Sequence, residues 1–479
     1  MWVCGYIMPA APAPPWPAPS WSAPPSGRRR PCPPPRVSVP KPAASASAPA
    51  TVRYLDTPEA ADGFLREVAG VREVALDTEG ASFHRFVDRI YLLQITTRPH
   101  GADAPDVSAI VDPLSAGPLP GLRRLIEDPD VEIVFHDADY DLRLLHQDYG
   151  WQPTRLFDTR VAAQLLGIRA FGLSALLERE FGLTLDKKHQ RADWSMRPLT
   201  ADMLDYAAQD TRWLLALRDR LRAQLERLGR LAWAEEEFAR VAQTRWEPED
   251  PGQAYLRVKG ARDLTRRELA LLRELVPWRD GVARELDRAT FRVATNDVLM
   301  DVARRAPRTR EELAAIKGVP RGSLDARGGE ILDAVRRGLA VPDAELPRFP
   351  RSARWERDAD FDARVARLRA VRDAVAQRLD LDPGVLCSRE RLETIARRNP
   401  GSAEELTEAT DLRRWQLELL GGAMLAALHP PRPGASAPPP AATSSSGTTG
   451  PAAAAPAAAP AAAAPPPDAG DDRSPYRDG

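Results

Sequence analysis

The sequence predicts an α/β domain with a mixed sheet flanked by helices, followed by two small all-α bundles and bounded by disordered tails. Three observations carry this. Between residues 73 and 136, short apolar and β-branched runs first follow one another closely and then alternate with a helical pattern. A helical motif near residue 303 recurs at a constant offset of 93 residues. Residues 1–50 and 431–479 are rich in Pro, Ala and Ser, so neither end buries enough surface to offset its ordering entropy. The expected organisation is a tail over 1–50, the α/β domain over 51–225, a helical linker over 226–258 and a first bundle over 259–340. A linker over 341–358, a degenerate second bundle over 359–430 and a tail over 431–479 complete it.

Each element has its own signal. E-V-A-L-D-T reads as a short buried strand, R-I-Y-L-L-Q-I-T-T as a longer one with aromatic and β-branched content, A-I-V-D as a third and V-E-I-V-F-H as a fourth. P-L-P-G-L-R-R-L-I-E-D-P has its apolar residues on one helical face, and after D-A-D-Y-D-L-R-L-L the segment is mostly helical through Leu225. In L-T-A-D-M-L-D-Y-A-A-Q-D-T-R-W-L-L, Thr200 is an N-cap candidate and Asp202 and Asp205 complement the helix dipole.

Composition narrows the function classes. No segment approaches 18 strongly apolar residues, which argues against a membrane span, and the proline-broken N-terminus lacks a basic leader. Cys4, Cys32 and Cys387 are far apart without C-x-x-C spacing, so neither a disulfide framework nor a zinc site is expected, and a reducing cytoplasm is the plain reading. Charge is unevenly placed. Residues 51–225 hold 21 Lys and Arg against 28 Asp and Glu, a balance of −7, whereas residues 259–340 hold 18 against 13, a balance of +5 that is almost all arginine. An acidic segment beside a basic one fits a metal-using enzyme with a separate grip on nucleic acid.

The acids have a pattern. Residues two apart on a strand project to one side, so Asp77 and Glu79 share a face at the end of the first predicted strand. Close carboxylates resist joint ionisation unless a cation lies between them. Asp141, flanked by Tyr140 and Leu142, adds a third acid, and Tyr206 and Asp210 share a helix face further on. Taken alone, the D-x-E pair reads as a solvated strand end, so the further acids carry the argument. His136 and Trp194 read as core residues.

Asp77-x-Glu79, Asp141 and Tyr206-x-x-x-Asp210 resemble the three exonuclease motifs of the DEDD superfamily, in the form with tyrosine in the third motif. The segment from Leu185 to Leu199 resembles the one preceding that motif in ribonuclease D. The resemblance covers residues 51–225 and implies a ribonuclease H-like fold. It further implies two divalent metal ions, Mg²⁺ or Mn²⁺, held by Asp77, Glu79, Asp141 and Asp210, with Tyr206 orienting the attacking water. Lys187, Gln190, Arg191 and Arg197 are candidates for the incoming strand's backbone, each equally readable as a surface charge. Gly80 departs from the many relatives that carry an apolar or aromatic residue there, and Phe83 or Phe86 is the candidate replacement against the terminal base.

In the basic segment, Ala303-Arg304-Arg305, Pro307 and Glu311-Glu312-Leu313 recur as Ala396-Arg397-Arg398, Pro400 and Glu404-Glu405-Leu406. These stretches resemble the HRDC module, a helical bundle shared by ribonuclease D and RecQ-type helicases. The turn at Lys317 and Gly318 could touch phosphate or simply stop a helix. The expectation is a 3′→5′ exoribonuclease that trims structured RNA such as tRNA precursors. RNA is the expected partner, with no membrane and no obligate protein partner. A DNA exonuclease, able to bind single-stranded DNA, and a non-catalytic RNA-binding protein are the alternatives; the full set of carboxylates counts against the second.

Overall fold

A computed structural model describes residues 52–98, 105–186, 188–319, 321–350 and 358–430. The tails expected at 1–50 and 431–479 lie outside the described residues. Strands β1 (Arg53–Leu55), β2 (Glu73–Glu79), β3 (Leu92–Thr97), β4 (Val107–Val111), β5 (Glu132–Phe135) and β6 (Leu156–Asp158) form one sheet in the order β1-β4-β3-β2-β5-β6. β3 runs antiparallel to both β2 and β4, while the outer pairs β1–β4, β2–β5 and β5–β6 are parallel. The four strands expected from sequence are β2 to β5. The two edge strands, three residues each, are too short to show a period of two.

Helices α1 (Pro58–Glu67), α2 (Pro113–Ala116), α3 (Pro120–Glu127), α4 (Asp139–Tyr149), α5 (Thr159–Leu165), α6 (Leu173–Phe181), α7 (Ala201–Arg212), α8 (Leu214–Arg227) and α9 (Leu231–Val241) complete this domain. The Thr200 hydroxyl caps α7 by accepting from the Met203 N–H at 3.2 Å. α7 lies across β2, β3 and β4, where the small side chains of Ala207 and Ala208 permit close approach. The hydroxyls of Thr211 on α7 and Thr96 on β3 pair at 2.9 Å and fix the helix against the sheet. Trp194 is fully buried beneath α7, as expected of a core residue; truncating such a ring costs about 3–5 kcal/mol.

The first bundle comprises α10 (Arg266–Glu285), α11 (Thr290–Val293), α12 (Asn296–Arg305), α13 (Arg310–Ala314) and α14 (Arg321–Ala340). Its core reaches back along the chain to Tyr255 and Val258. It belongs to one compact unit with the sheet domain and meets the loop that follows β2. Arg85 Nη1 lies 3.3 Å from Asp287, which also accepts from the Phe86 N–H at 3.3 Å. Arg292 Nε donates to the Phe83 carbonyl at 2.6 Å, and the Phe86 ring packs against Val282, Ala283 and Val293.

The second bundle, in a separate unit apart from residues 380–385, comprises α15 (Phe361–Leu379), α16 (Pro383–Leu386), α17 (Arg389–Arg398), α18 (Ala403–Ala409) and α19 (Arg414–Leu428). The repeat extends to the caps. N-caps Thr295 and Thr309 correspond to Ser388 and Ser402, and left-handed Ala306 (φ 45°) corresponds to Asn399 (φ 46°), all at the same offset of 93. Gly318, at φ 92°, corresponds to Asp411, which accepts from Arg391 Nε at 2.6 Å. The open turn of the first bundle is thus replaced by an ion pair in the second.

Candidate active site

β3 stays paired with β2 to its last residue, whereas β5 pairs only as far as Ala75, and Asp77 and Glu79 lie on the end of β2 that packs against α7. Asp210, one turn beyond Tyr206 on α7, meets them. Carboxylate oxygens of Asp77, Glu79 and Asp210 all lie within 4.8 Å of one another. An acid from a helix 131 residues further along the chain therefore converges with two acids of one strand.

Asp141 arrives separately, from the first turn of α4. Thr78 points away from the Asp77 face, yet its N–H (3.0 Å) and hydroxyl (2.6 Å) both donate to Asp141 Oδ1. Asp141 lies outside the three-acid cluster but close enough for its charge to act on Asp77 and Glu79. The turn that carries it is built by Asp158, which accepts from the N–H groups of Asp137 (3.1 Å) and Ala138 (2.9 Å).

Electrostatics marks the same place. Burial, followed by the charges of Asp141, Asp210 and Glu79, holds the Asp77 carboxyl well above its ordinary range. Glu79 is raised by burial and then by Asp210 and Asp141. Burial pushes Asp141 up to about 7 and Asp210 up to about 6. The Tyr206 phenol is pushed up by burial and by Asp210 and Glu79, so at neutral pH it is a hydroxyl donor and not a phenolate.

Gln94 tests whether a cation fits. It stands directly opposite Asp77 in the β2–β3 register and is fully buried, yet neither its amide nitrogen nor its oxygen has a hydrogen-bond partner. Buried amides are rarely left unpaired, and one beside clustered carboxylates fits a site completed by an ion and its hydration. With an oxygen-only donor set and carboxyls raised by mutual repulsion, the residues suit a divalent cation.

The remaining candidates fall in different places. Arg197 is committed internally: it donates to both Asp112 oxygens (2.5 and 2.9 Å) and to the carbonyls of Trp194, Met196 and Tyr91. A phosphate contact by Arg197 would compete with that carboxylate. Lys187 lies outside the described residues. Gln190 and Arg191 are exposed, with the Arg191 guanidinium 5.7 Å from the Phe83 ring centre. Lys317 and Gly318 are exposed in the turn after α13; a side chain at Gly318 would press on Val298, which accounts for the glycine. His136 pairs with the Thr159 hydroxyl at 2.9 Å, a structural role.

Gly80 has a local cause. A Cβ there would lie 2.3 Å from the Tyr140 hydroxyl, which donates to Asp88 at 2.7 Å. Phe86 is used against the first bundle, whereas Phe83 stays half exposed. Sequence reasoning missed Thr78 and Gln94. A glutamine inside the otherwise apolar L-L-Q-I was the available signal for the second.

Residues 52–226 match the family model described as 3'-5' exonuclease, and residues 268–335 and 361–428 each match the HRDC domain. A ribonuclease D from Granulibacter bethesdensis is 32% identical over 356 residues, spanning 74% of this chain and 86% of that one. The chain belongs to the ribonuclease D family. As a member it is a 3′→5′ exoribonuclease with a helical HRDC region. The solved structure of Escherichia coli RNase D, described as an exoribonuclease involved in structured RNA processing, superposes with a TM-score of 0.61 at 25% identity over 79% of this chain and 98% of that one. A protein from Bifidobacterium adolescentis superposes with a TM-score of 0.68 at 28% identity, over 78% and 96%. No helix among the described residues is long and apolar enough to cross a membrane.

Proposed function

We propose that this ribonuclease D family member trims the 3′ ends of structured RNA, such as tRNA precursors, by two-metal-ion hydrolysis that releases nucleoside 5′-monophosphates. The observation that carries the reading is the convergence of Asp77, Glu79 and Asp210 within 4.8 Å. Asp77, Glu79, Asp141 and Asp210 would hold two divalent ions, Mg²⁺ or Mn²⁺. The chemistry such ions supply when bound is charge stabilisation on the attacking and leaving oxygens. Tyr206, kept protonated by its surroundings, positions the water through its hydroxyl.

Structured RNA is favoured by the division of charge. The acidic domain repels polyanions away from its cation site, and the first bundle's excess of arginine offers phosphate contacts. The reading places the enzyme in the cytoplasm, with RNA as partner and single-stranded DNA as the competing polymer. Cys387 is buried and its thiol pushed up to about 11, which makes it inert, as suits a reducing compartment.

Purified protein incubated with 3′-labelled and 5′-labelled RNA and DNA, with and without EDTA, tests this. The expected result is Mg²⁺-dependent release of mononucleotides from the RNA 3′ end. Preferential cleavage of DNA, or activity that survives EDTA, overturns the reading.

A further inference from the structure

Ring contacts occur on both sides of the segment that precedes α7. His189 meets Tyr206 edge-on with centroids 5.7 Å apart; two residues on, Arg191 lies 5.7 Å over the Phe83 ring. Phe83 in turn meets Phe291 of α11 edge-on at 6.3 Å, and the Arg292 guanidinium lies 5.9 Å over Phe291. Phe83 and Phe291 are 50% and 47% exposed, so this is not a buried seam. The seam between the two domains is made three residues later by Phe86.

Exposed aromatic faces flanked by arginines are the chemistry that binds single-stranded nucleic acid: bases stack on the rings while guanidinium groups attract phosphate. The backbone beneath is held in place. Arg292 fixes the Phe83 carbonyl, and His84 donates from Nε2 to the Arg191 carbonyl at 3.1 Å while its Nδ1 faces Arg292 at 3.3 Å. A platform held this way loses little entropy when a strand settles on it. A 3′ exonuclease holds the terminal nucleotide at the carboxylates, so every base outside the site lies on its 5′ side.

We propose that Phe83 and Phe291, one from each domain, form a stacking platform for single-stranded RNA upstream of the nucleotide being removed. The proposal rests on the exonuclease reading for its direction along the strand.

Binding of a short oligouridylate is measured in an Asp77→Asn background, where no cleavage intervenes. Phe83→Leu and Phe291→Leu, which keep apolar bulk but lose the flat ring, are expected to raise Kd roughly five- to 100-fold each, whereas Phe83→Tyr retains binding. 2-Aminopurine placed a few nucleotides upstream of the 3′ end is expected to be quenched on binding the Asp77→Asn protein, and this arm requires no platform variant to fold. An unchanged Kd in both Leu variants overturns the proposal, as does absence of quenching. A lowered melting temperature with unchanged Kd assigns the pair to domain packing and overturns it as well. Because binding is read without cleavage, failure here leaves the EDTA test of hydrolysis independent.

Discussion

Thr78 fixes Asp141 through one oxygen, with its N–H at 3.0 Å and its hydroxyl at 2.6 Å both donating to Oδ1. Thr78→Val keeps the branched shape and the backbone donor and deletes only the hydroxyl. Mg²⁺ titrations of hydrolysis should show apparent metal affinity or activity roughly 10–100-fold weaker, the scale of losing a group that orients a ligand. A wild-type titration curve would show that the backbone N–H alone suffices.

Tyr206→Phe removes the hydroxyl and leaves the ring stacked near Trp194, with centroids 6.1 Å apart. Single-turnover cleavage should slow by about 10²–10⁴-fold with the melting temperature nearly unchanged. An unaltered single-turnover rate would remove Tyr206 from the chemistry.

The metal-free protein should be stabilised by acid. Asp141 and Asp210 titrate at about 7 and about 6 in the folded chain, and Asp77 and Glu79 are raised too. Unfolded carboxyls titrate at about 4. Between these values the folded state binds more protons, so this contribution is complete below about pH 4 and lost as pH rises through about 7. In EDTA, melting temperature should therefore climb as pH is lowered through that window, and climb less in Asp210→Asn. Mg²⁺ should restore stability at the alkaline end, with binding that tightens as pH rises because fewer protons have to be displaced from the carboxyls. A pH profile identical in wild type and Asp210→Asn would contradict the electrostatic account.

Ala306 ends α12 at φ 45°, a left-handed conformation that Asn tolerates better than Ala because its short polar side chain can bond locally, and the second bundle uses Asn399 at the equivalent place. Ala306→Asn should stabilise the protein by up to about 1 kcal/mol, the scale of the left-handed penalty it relieves, read as a denaturation midpoint raised with an unchanged slope. A neutral or destabilising result would mean that the alanine methyl packs well enough to offset its strain.

Much of this was legible in advance through order and repetition. A spacing of two or four alone fits a solvated strand end or helix face, but Asp77-x-Glu79, Asp141 and Tyr206-x-x-x-Asp210 in that order match the motifs of the family they resemble, and the bundles show a repeat of 93. What the sequence concealed depends on contacts between distant segments. Nothing near Arg197 signals that Asp112 claims its guanidinium, and nothing near Gly80 signals the Tyr140 hydroxyl that excludes a side chain. Thr78 looked like a spacer between two acids because its partner lies 63 residues away.

The packing of Phe86 against Val282, Ala283 and Val293 also changes where this protein can be divided. A nuclease excised before the first bundle would carry an apolar ring bared to water and a loop stripped of Asp287 and Arg292, immediately after the strand that carries Asp77 and Glu79. Chimeras that exchange the bundle for one from another protein would inherit the same defect unless the partner residues travel with it. For anyone transplanting this activity, the smallest portable piece is the nuclease together with its first bundle.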